Sequence, residues 1–456
     1  MTGAQDGSAR VAAGWVSVAI AVAGLCWTFT ANAGLAWPAP VVAIASTVPL
    51  YLVARGWRLP WWLHLGAAAL PLSLVLVAVA HGAPDGLSRA ARYAYGAMLL
   101  LGVAAWARRT QRRALLAGAA GVVATIELAG GLATLARSGD PGQFLFGNSW
   151  PNQFAFTELA AVAIGLAVAA LGRWTLSPAG LGTATGALGA VAGIAGVVLS
   201  GSRTGLAGLA IAGAATLVLA VIVRGWRGLA LWSGLAAAGV LVVVLVRLPL
   251  LLAPPSGPAP AGGTSPAVVG ALTRGSLDLS WVTRLDYWRA AIGMGAEHPF
   301  VGAGLGRYGD PGAYADRLYL ATDPHDEWLL GWAEGGIIGL IPLVALLIGV
   351  LWLAVRAVPA LRSRLRVAAD PARWGALLAL LALIGHIALD FDWRYAALVG
   401  LAGLLGGVAA APVVRPGTSR VAGIVNGVLA ALTTAAGAAA FLVDPHAANQ
   451  LAAVVG

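Results

Sequence analysis

Long apolar runs, each close to the length of a bilayer-crossing helix, alternate along this chain with short polar segments. About 20 apolar residues cross a hydrocarbon core. On that measure the sequence predicts spans at 11–30, 35–54, 62–80, 90–107, 114–136, 154–171, 183–201, 204–223, 229–247, 327–355, 374–391, 396–412 and 421–443. Because short Gly/Ala-rich runs blur into one another, the expected count is about 12 helices, within roughly 11–13. The fold class that follows is all-α: a single polytopic membrane domain over residues 1–456, without a soluble domain, a regular repeat or a heptad seam. The first run lacks a small-residue cleavage site and is followed by many like it, so it reads as a retained first span. Closely spaced small residues, as in GLAGLAIAGAA (205–215), let helices approach closely where lipid removes the water-driven incentive to associate.

Two polar segments interrupt this pattern. Residues 137–153, RSGDPGQFLFGNSWPNQ, place amides beside aromatics. Residues 248–326 form the one long loop, and loops of that length are usually functional or disordered. The loop opens on a Pro/Gly/Ser-rich stretch that predicts irregular backbone. It then turns helical from Leu279 to Ala296, with Trp281, Leu285, Trp288 and Ile292 on one amphipathic face.

Composition and charge orient the chain. Of 456 residues 59% are hydrophobic and 10% charged, against about 25% charged in soluble domains. The net charge of +10 comes from 28 basic residues, all of them Arg. They recur in alternate inter-helix segments: Arg55 and Arg58; Arg108, Arg109, Arg112 and Arg113; Arg173; Arg224 and Arg227; Arg356, Arg362, Arg364, Arg366 and Arg373; Arg415 and Arg420. This is the positive-inside pattern, not a nucleic-acid surface. It predicts a cytoplasmic N-terminus and an external 248–326 loop. Cys26 is the only cysteine, which excludes disulfides and cysteine metal clusters.

Charge, histidine and glycine concentrate in residues 284–339. In DPHDE, Asp323 reads as an N-cap with Pro324 at the first helical position, which would put His325 in the first turn of a membrane helix. A helix N-terminus disfavours an imidazolium and attracts anions, so His325 suits a general base. Asp326 and Glu327 would orient its other nitrogen or simply favour the helix dipole. The plain structural alternative is a well-capped helix start. Arg203, in SGSRTG between two apolar runs, sits at a tight turn near the external face, where it would snorkel or fork onto phosphate oxygens. Arg284 and Arg289 flank Trp288 on the loop helix, and Asp286 offers either one an ordinary ion pair. His386 and Asp390 share a helix face four residues apart, as a structural pair or as functional membrane ionisables. Glu127 and Glu158 are further intramembrane carboxylates, each a packing hydrogen bond or part of a transport path. No metal-ligand cluster has convincing spacing, and no DxD-type pair would hold a metal-bound nucleotide sugar.

Together these segments resemble the bacterial O-antigen ligase and polysaccharide polymerase superfamily of integral membrane glycosyltransferases. The family's motif is His, then Asn, Ser or Gln, then nine residues, then Gly-x-x-Gly. Here His325 precedes Asp326, and Gly336-Ile337-Ile338-Gly339 closes the spacing; Asp326 is the departure. SRTG (202–205), RLDYWRAAIGMGAEHPFVGAGLG (284–306) and GNSWPNQFA (147–155) resemble the family's Ser-Arg turn, its Arg-to-HPxxGxGxG loop and its Asn-containing segment. HIALDFDW (386–393) is similar to a late-helix pattern of some members.

The resemblance implies a donor glycan on undecaprenyl diphosphate and an acceptor sugar hydroxyl outside the cytoplasmic membrane. It implies diphosphate binding by Arg203 and Arg284, with Arg289 beside them, and His325 as base. Asp326, Glu327, Asn152, His386 and Asp390 would support them. No metal or other cofactor is implied, and the transfer is expected to invert the anomeric centre. Ligation to a lipid A core is favoured over repeat-unit polymerisation or protein O-glycosylation. A transporter or flippase for a lipid-linked glycan, resting on Glu127, Glu158, His386 and Asp390, is the rival from another class. It predicts inverted repeats, which the sequence does not display.

Overall fold

The computed structural model describes residues 57–58, 60–83, 86–138, 151–172, 177–252, 276–310, 323–388, 396–417 and 423–431, with a few single positions. Within them the chain is helical apart from a two-residue antiparallel pair, β1 (Trp57–Arg58) on β2 (Arg415–Pro416). The main helices are α1 (Trp61–Ala80), α2 (Gly86–Trp106), α3 (Thr110–Ser138), α4 (Pro151–Leu171), α5 (Pro178–Ser200), α6 (Arg203–Arg224), α7 (Trp226–Leu252), α8 (Ser276–Glu297), α9 (Glu327–Ala357), α10 (Pro371–His386) and α11 (Ala396–Ala410). Among the described residues six stretches are long and apolar enough to cross a membrane: Trp61–Ala80, Thr110–Arg137, Gly180–Ser200, Arg203–Arg224, Trp226–Leu248 and Glu327–Arg362. Shorter apolar helices cover Ala155–Leu171, Pro371–His386 and Leu398–Val413. The protein is thus an all-helical, multi-pass membrane protein. The expected spans at 11–30, 35–54 and, in large part, 421–443 lie outside the described residues, as do 253–275 and 311–322 of the 248–326 loop.

Packing divides the helices into two groups joined by α10. In one, α5 lies against α3 and α4, with α6 and α7 on their flank; in the other, α2 lies between α1 and α11, and α9 packs on α1. α10 touches both α4 and α11. Lipid supplies no hydrophobic incentive for helices to associate, so small residues that permit dense van der Waals contact decide which faces meet. The α3/α5 seam shows this: a Cβ on Gly189 would lie 2.2 Å from the Gly121 Cα.

Arg108, Arg112 and Arg113 gather at one end of the bundle. Arg113 donates from Nη1 to the Ala107 (2.6 Å) and Arg108 (2.8 Å) carbonyls at the end of α2, and from Nε to Asp370 Oδ1 (2.9 Å) just before α10. Arg108 stacks over Trp57, its guanidinium carbon 3.8 Å from the ring centre. The opposite end, where α4, α6, α9 and α11 begin and α1 and α10 finish, carries the candidate site.

Candidate active site at the start of α9

The first turn of α9 differs from the sequence expectation. Its N-cap is Asp326, not Asp323, and its Oδ1 accepts the Leu329 N–H at 2.9 Å. His325 lies before the cap with φ +53°, the sole non-glycine residue in the left-handed region among those described. Asp323 Oδ1 accepts the His325 N–H at 3.1 Å, so Asp323-Pro324 makes a turn and not the first helical residues. A left-handed histidine costs roughly 1–2 kcal/mol, and such strain persists where surrounding structure imposes it. The effect is to turn the imidazole out of the helix and onto α8, where it stacks on Tyr287, centroids 5.9 Å apart and planes at 16°.

α8 begins and ends close to expectation, but its orientation is the reverse of the one its large apolar residues suggest. Asp286, Ala290, Ala291 and Met294 are buried, the last three in a cluster with Tyr308, Leu330 and Ala333. Leu285 and Ile292 point outward at 52% and 53% exposure. Alanines allow the backbone close to α9, while a large apolar side chain loses nothing by facing outward in a lipid solvent. Arg284 is one turn from Tyr287 and shares its side of α8. Arg289 is exposed on the other side with Leu285 and Ile292, away from His325. Trp288 is half-buried, and the Trp281 side chain lies outside the described residues.

The glycine-rich segment after α8 has a defined job. Gly336 adopts φ +56°, ψ −151° and breaks α9 one-third of the way along. The loop 298–306 docks into the break. Ala303 and Gly304 donate N–H groups to the Ala333 (2.9 Å) and Glu334 (3.1 Å) carbonyls, while Ile337 and Ile338 donate to the Pro299 (2.9 Å) and Phe300 (3.2 Å) carbonyls. Backbone groups orphaned by a broken membrane helix must find partners in protein, and this loop supplies them. Gly302 has no alternative: a Cβ there would sit 2.2 Å from the Glu334 carbonyl carbon.

Glu334, in the same turn and 1% exposed, accepts from Arg89 Nη1 of α2 and from the Tyr308 N–H (3.2 Å). Glu327 is buried within electrostatic reach of Arg89, Arg92, Glu334 and Asp323. The sequence reading missed Arg89, Arg92 and Glu334. The available signal was charge inside apolar helices, LSRAARYAYG and WAEGG.

Further contacts string the remaining candidates along the same rim. The Glu327 N–H donates to the Ile387 carbonyl (2.9 Å), beside His386 at the end of α10. His386 lies 5.4 Å from Phe156 of α4. α10 ends at His386, shorter than the expected 374–391 span, and Asp390 lies outside the described residues. Asn152 is in the first turn of α4, its side chain undescribed. α4 in turn meets the start of α6, where a Cβ on Gly205 would come 2.6 Å from Ala155 Cβ. There Ser202 caps the helix through the Gly205 N–H (3.0 Å) and Arg203 is its exposed first residue. Contacts between elements thus run from the start of α6, with Arg203, through α4 to His386, Glu327 and His325, and by the Tyr287 ring to α8, where Arg284 lies mid-helix.

Burial pushes the Asp326 carboxyl from 3.8 up to about 6, against the stabilising N–H groups of Leu329 and Trp328. Among the described residues no group of three or more His, Cys, Asp or Glu side chains is placed to hold a metal. Glu127 and Glu158 are 1% and 0% exposed, and among the described residues neither carboxylate has a hydrogen-bond partner, which does not fit the first of their two readings, a packing hydrogen bond.

A search of curated proteins finds no match to this chain. Comparison with family models does find one: residues 188–344 match O-antigen ligase. That match runs from within α5 into α9, across Arg203, Arg284 and His325, and makes this stretch of the chain similar to the O-antigen ligase family.

Proposed function

We propose that the protein is an O-antigen ligase-type glycosyltransferase of the bacterial cytoplasmic membrane, moving a glycan from undecaprenyl diphosphate to a sugar hydroxyl of a lipid A core or similar acceptor. In this reading the chain has about 12 helices, a cytoplasmic N-terminus and an external 248–326 loop, in keeping with positive-inside charge. The observation that carries it is the placement of His325: strained backbone, ring against Tyr287, one turn of α8 from Arg284. His325 takes the acceptor proton as the hydroxyl oxygen bonds to the anomeric carbon from the side opposite the diphosphate. The bond to the diphosphate oxygen breaks, and the charge developing there is met by Arg284 and by Arg203 from across the rim. Arg289, on the other side of α8, has no part in this step. Inversion follows from a single displacement, and no metal is called on because arginines carry the leaving-group charge.

The test is to incubate purified protein with an undecaprenyl-diphosphate glycan and separate acceptors, with and without chelator, and to follow undecaprenyl diphosphate release. Release dependent on a sugar acceptor and indifferent to chelator supports the reading; chelator-sensitive release removes the metal-free mechanism. Turnover with lipid-linked glycan alone replaces ligase by polymerase, and transfer to a protein hydroxyl replaces it by a protein O-oligosaccharyltransferase. Glycan translocation across vesicles without diphosphate release supports the flippase reading that the partnerless Glu127 and Glu158 favour.

A further inference from the structure

Below the polar cluster of the site five helices leave a gap, which on α1 and α9 is lined from the halves of those helices remote from the site. α1, α2, α9, α10 and α11 surround an apolar cavity of about 670 Å³, counting its open side. Each helix except α10 lines it over about two turns, Tyr93 to Leu100 on α2 and Leu346 to Leu353 on α9 being examples, so it runs about 10 Å along the helix axes at 1.5 Å rise per residue. Tyr93 is the one side chain in the lining with a polar group, and it sits at the site end, within electrostatic reach of Glu327, Arg89 and Glu334. Ile384, two residues before His386, closes the same end. At Gly66, which lines the cavity, a Cβ would meet no atom within 4 Å. This glycine borders open space and holds no neighbour close.

We propose that this cavity takes a length of the isoprenoid chain of the lipid-diphosphate donor, with the diphosphate held at the rim above Tyr93. The inference rests on the donor class of the preceding section. Its grounds are the apolar lining, about 10 Å long, and the approach of its Tyr93 end to Arg89, one turn along α2, which is bonded to Glu334. A second apolar cavity, lined by Arg113, Thr157 and Leu404 among others, lies between α3, α4, α10 and α11. None of its lining residues is among those in reach of Glu327. The donor chain is therefore assigned to the first cavity.

Gly66→Leu fills the slot from its open side without a backbone clash. The experiment compares KM for one glycan on undecaprenyl diphosphate and on a short-chain prenyl diphosphate, in wild type and variant. The expected result is a rise of about tenfold in the ratio of long-chain to short-chain KM. An unchanged ratio overturns the proposal, and so does an equal rise for both donors. A readout independent of turnover uses a glycan-free prenyl diphosphate with a photoreactive group in its chain, followed by peptide mapping. Label on α1 and α2 that Gly66→Leu removes supports the cavity even if no transfer is detected, which separates this inference from the transferase reading. Label confined to other helices overturns it.

Discussion

Asp326 and His325 divide the start of α9 between them. The aspartate accepts the N–H that opens the helix, and the histidine is excluded from the helix by its positive φ. That division explains why the family's Asn, Ser or Gln can be Asp here: the position needs a capping acceptor, which all but Gln commonly supply. Asp326→Ala should cost about 1 kcal/mol and Asp326→Asn almost nothing, read by thermal unfolding in detergent. The pH dependence has a definite sign. With the folded carboxyl at about 6 and the ordinary value at 3.8, the folded protein keeps a proton between those values that the unfolded chain has lost. Stability contributed by this group is therefore present below about pH 4 and lost as pH rises through 6. Asp326→Asn should remove that fall, and a fall of the same size in the variant would contradict the assignment. At this scale the sequence announced His325 by spacing and chemistry, and misplaced the cap by three residues. DPHDE offers two aspartates, and only the fold, by turning His325 onto Tyr287, decides between them.

At the scale of elements, the coupling of the 298–306 loop to the break in α9 holds the site together. Gly336 in the left-handed region and Gly302 against the Glu334 carbonyl are both intolerant of a Cβ, which on Gly336 would sit 2.6 Å from the Phe300 carbonyl carbon. Gly306 also has positive φ, +83°, but nothing within 4 Å. Gly306→Ala should thus lose only the backbone term of roughly 1–2 kcal/mol. Gly302→Ala and Gly336→Ala should fall well below it in melting temperature and yield, and equal melting temperatures for all three would show that the docked loop contributes nothing. The sequence signalled a tight excursion at HPFVGAGLG. It held no sign that this excursion completes the hydrogen bonds of a helix some thirty residues later, because such pairing has no local pattern.

For the whole molecule, hydropathy located nearly every described helix within a few residues, since lipid demands long apolar runs. It placed the end of α10 too late: the apolar run continues past His386, while the Ile387 carbonyl is taken by Glu327 of α9. It also gave no hint of Arg89 meeting Glu334, which joins α2 to α9 across 245 positions. Removing one partner of a buried pair leaves an uncompensated charge, so Arg89→Ala should destabilise by about 3 kcal/mol. Adding Glu334→Gln should recover most of that, since the amide oxygen still accepts the Tyr308 N–H; no recovery in thermal unfolding would mean the pair is not coupled.

The central claim is that a folded rim of helix ends presents His325 to an acceptor hydroxyl. His325→Gly tests it most directly, because glycine tolerates φ +53° and preserves the turn while removing the base. The measurement is single-turnover release of undecaprenyl diphosphate by wild type and variant, with melting temperatures alongside. The account predicts a melting temperature equal to or above wild type and a rate lowered by about 100-fold or more. Release at the wild-type rate from a folded His325→Gly protein would contradict it.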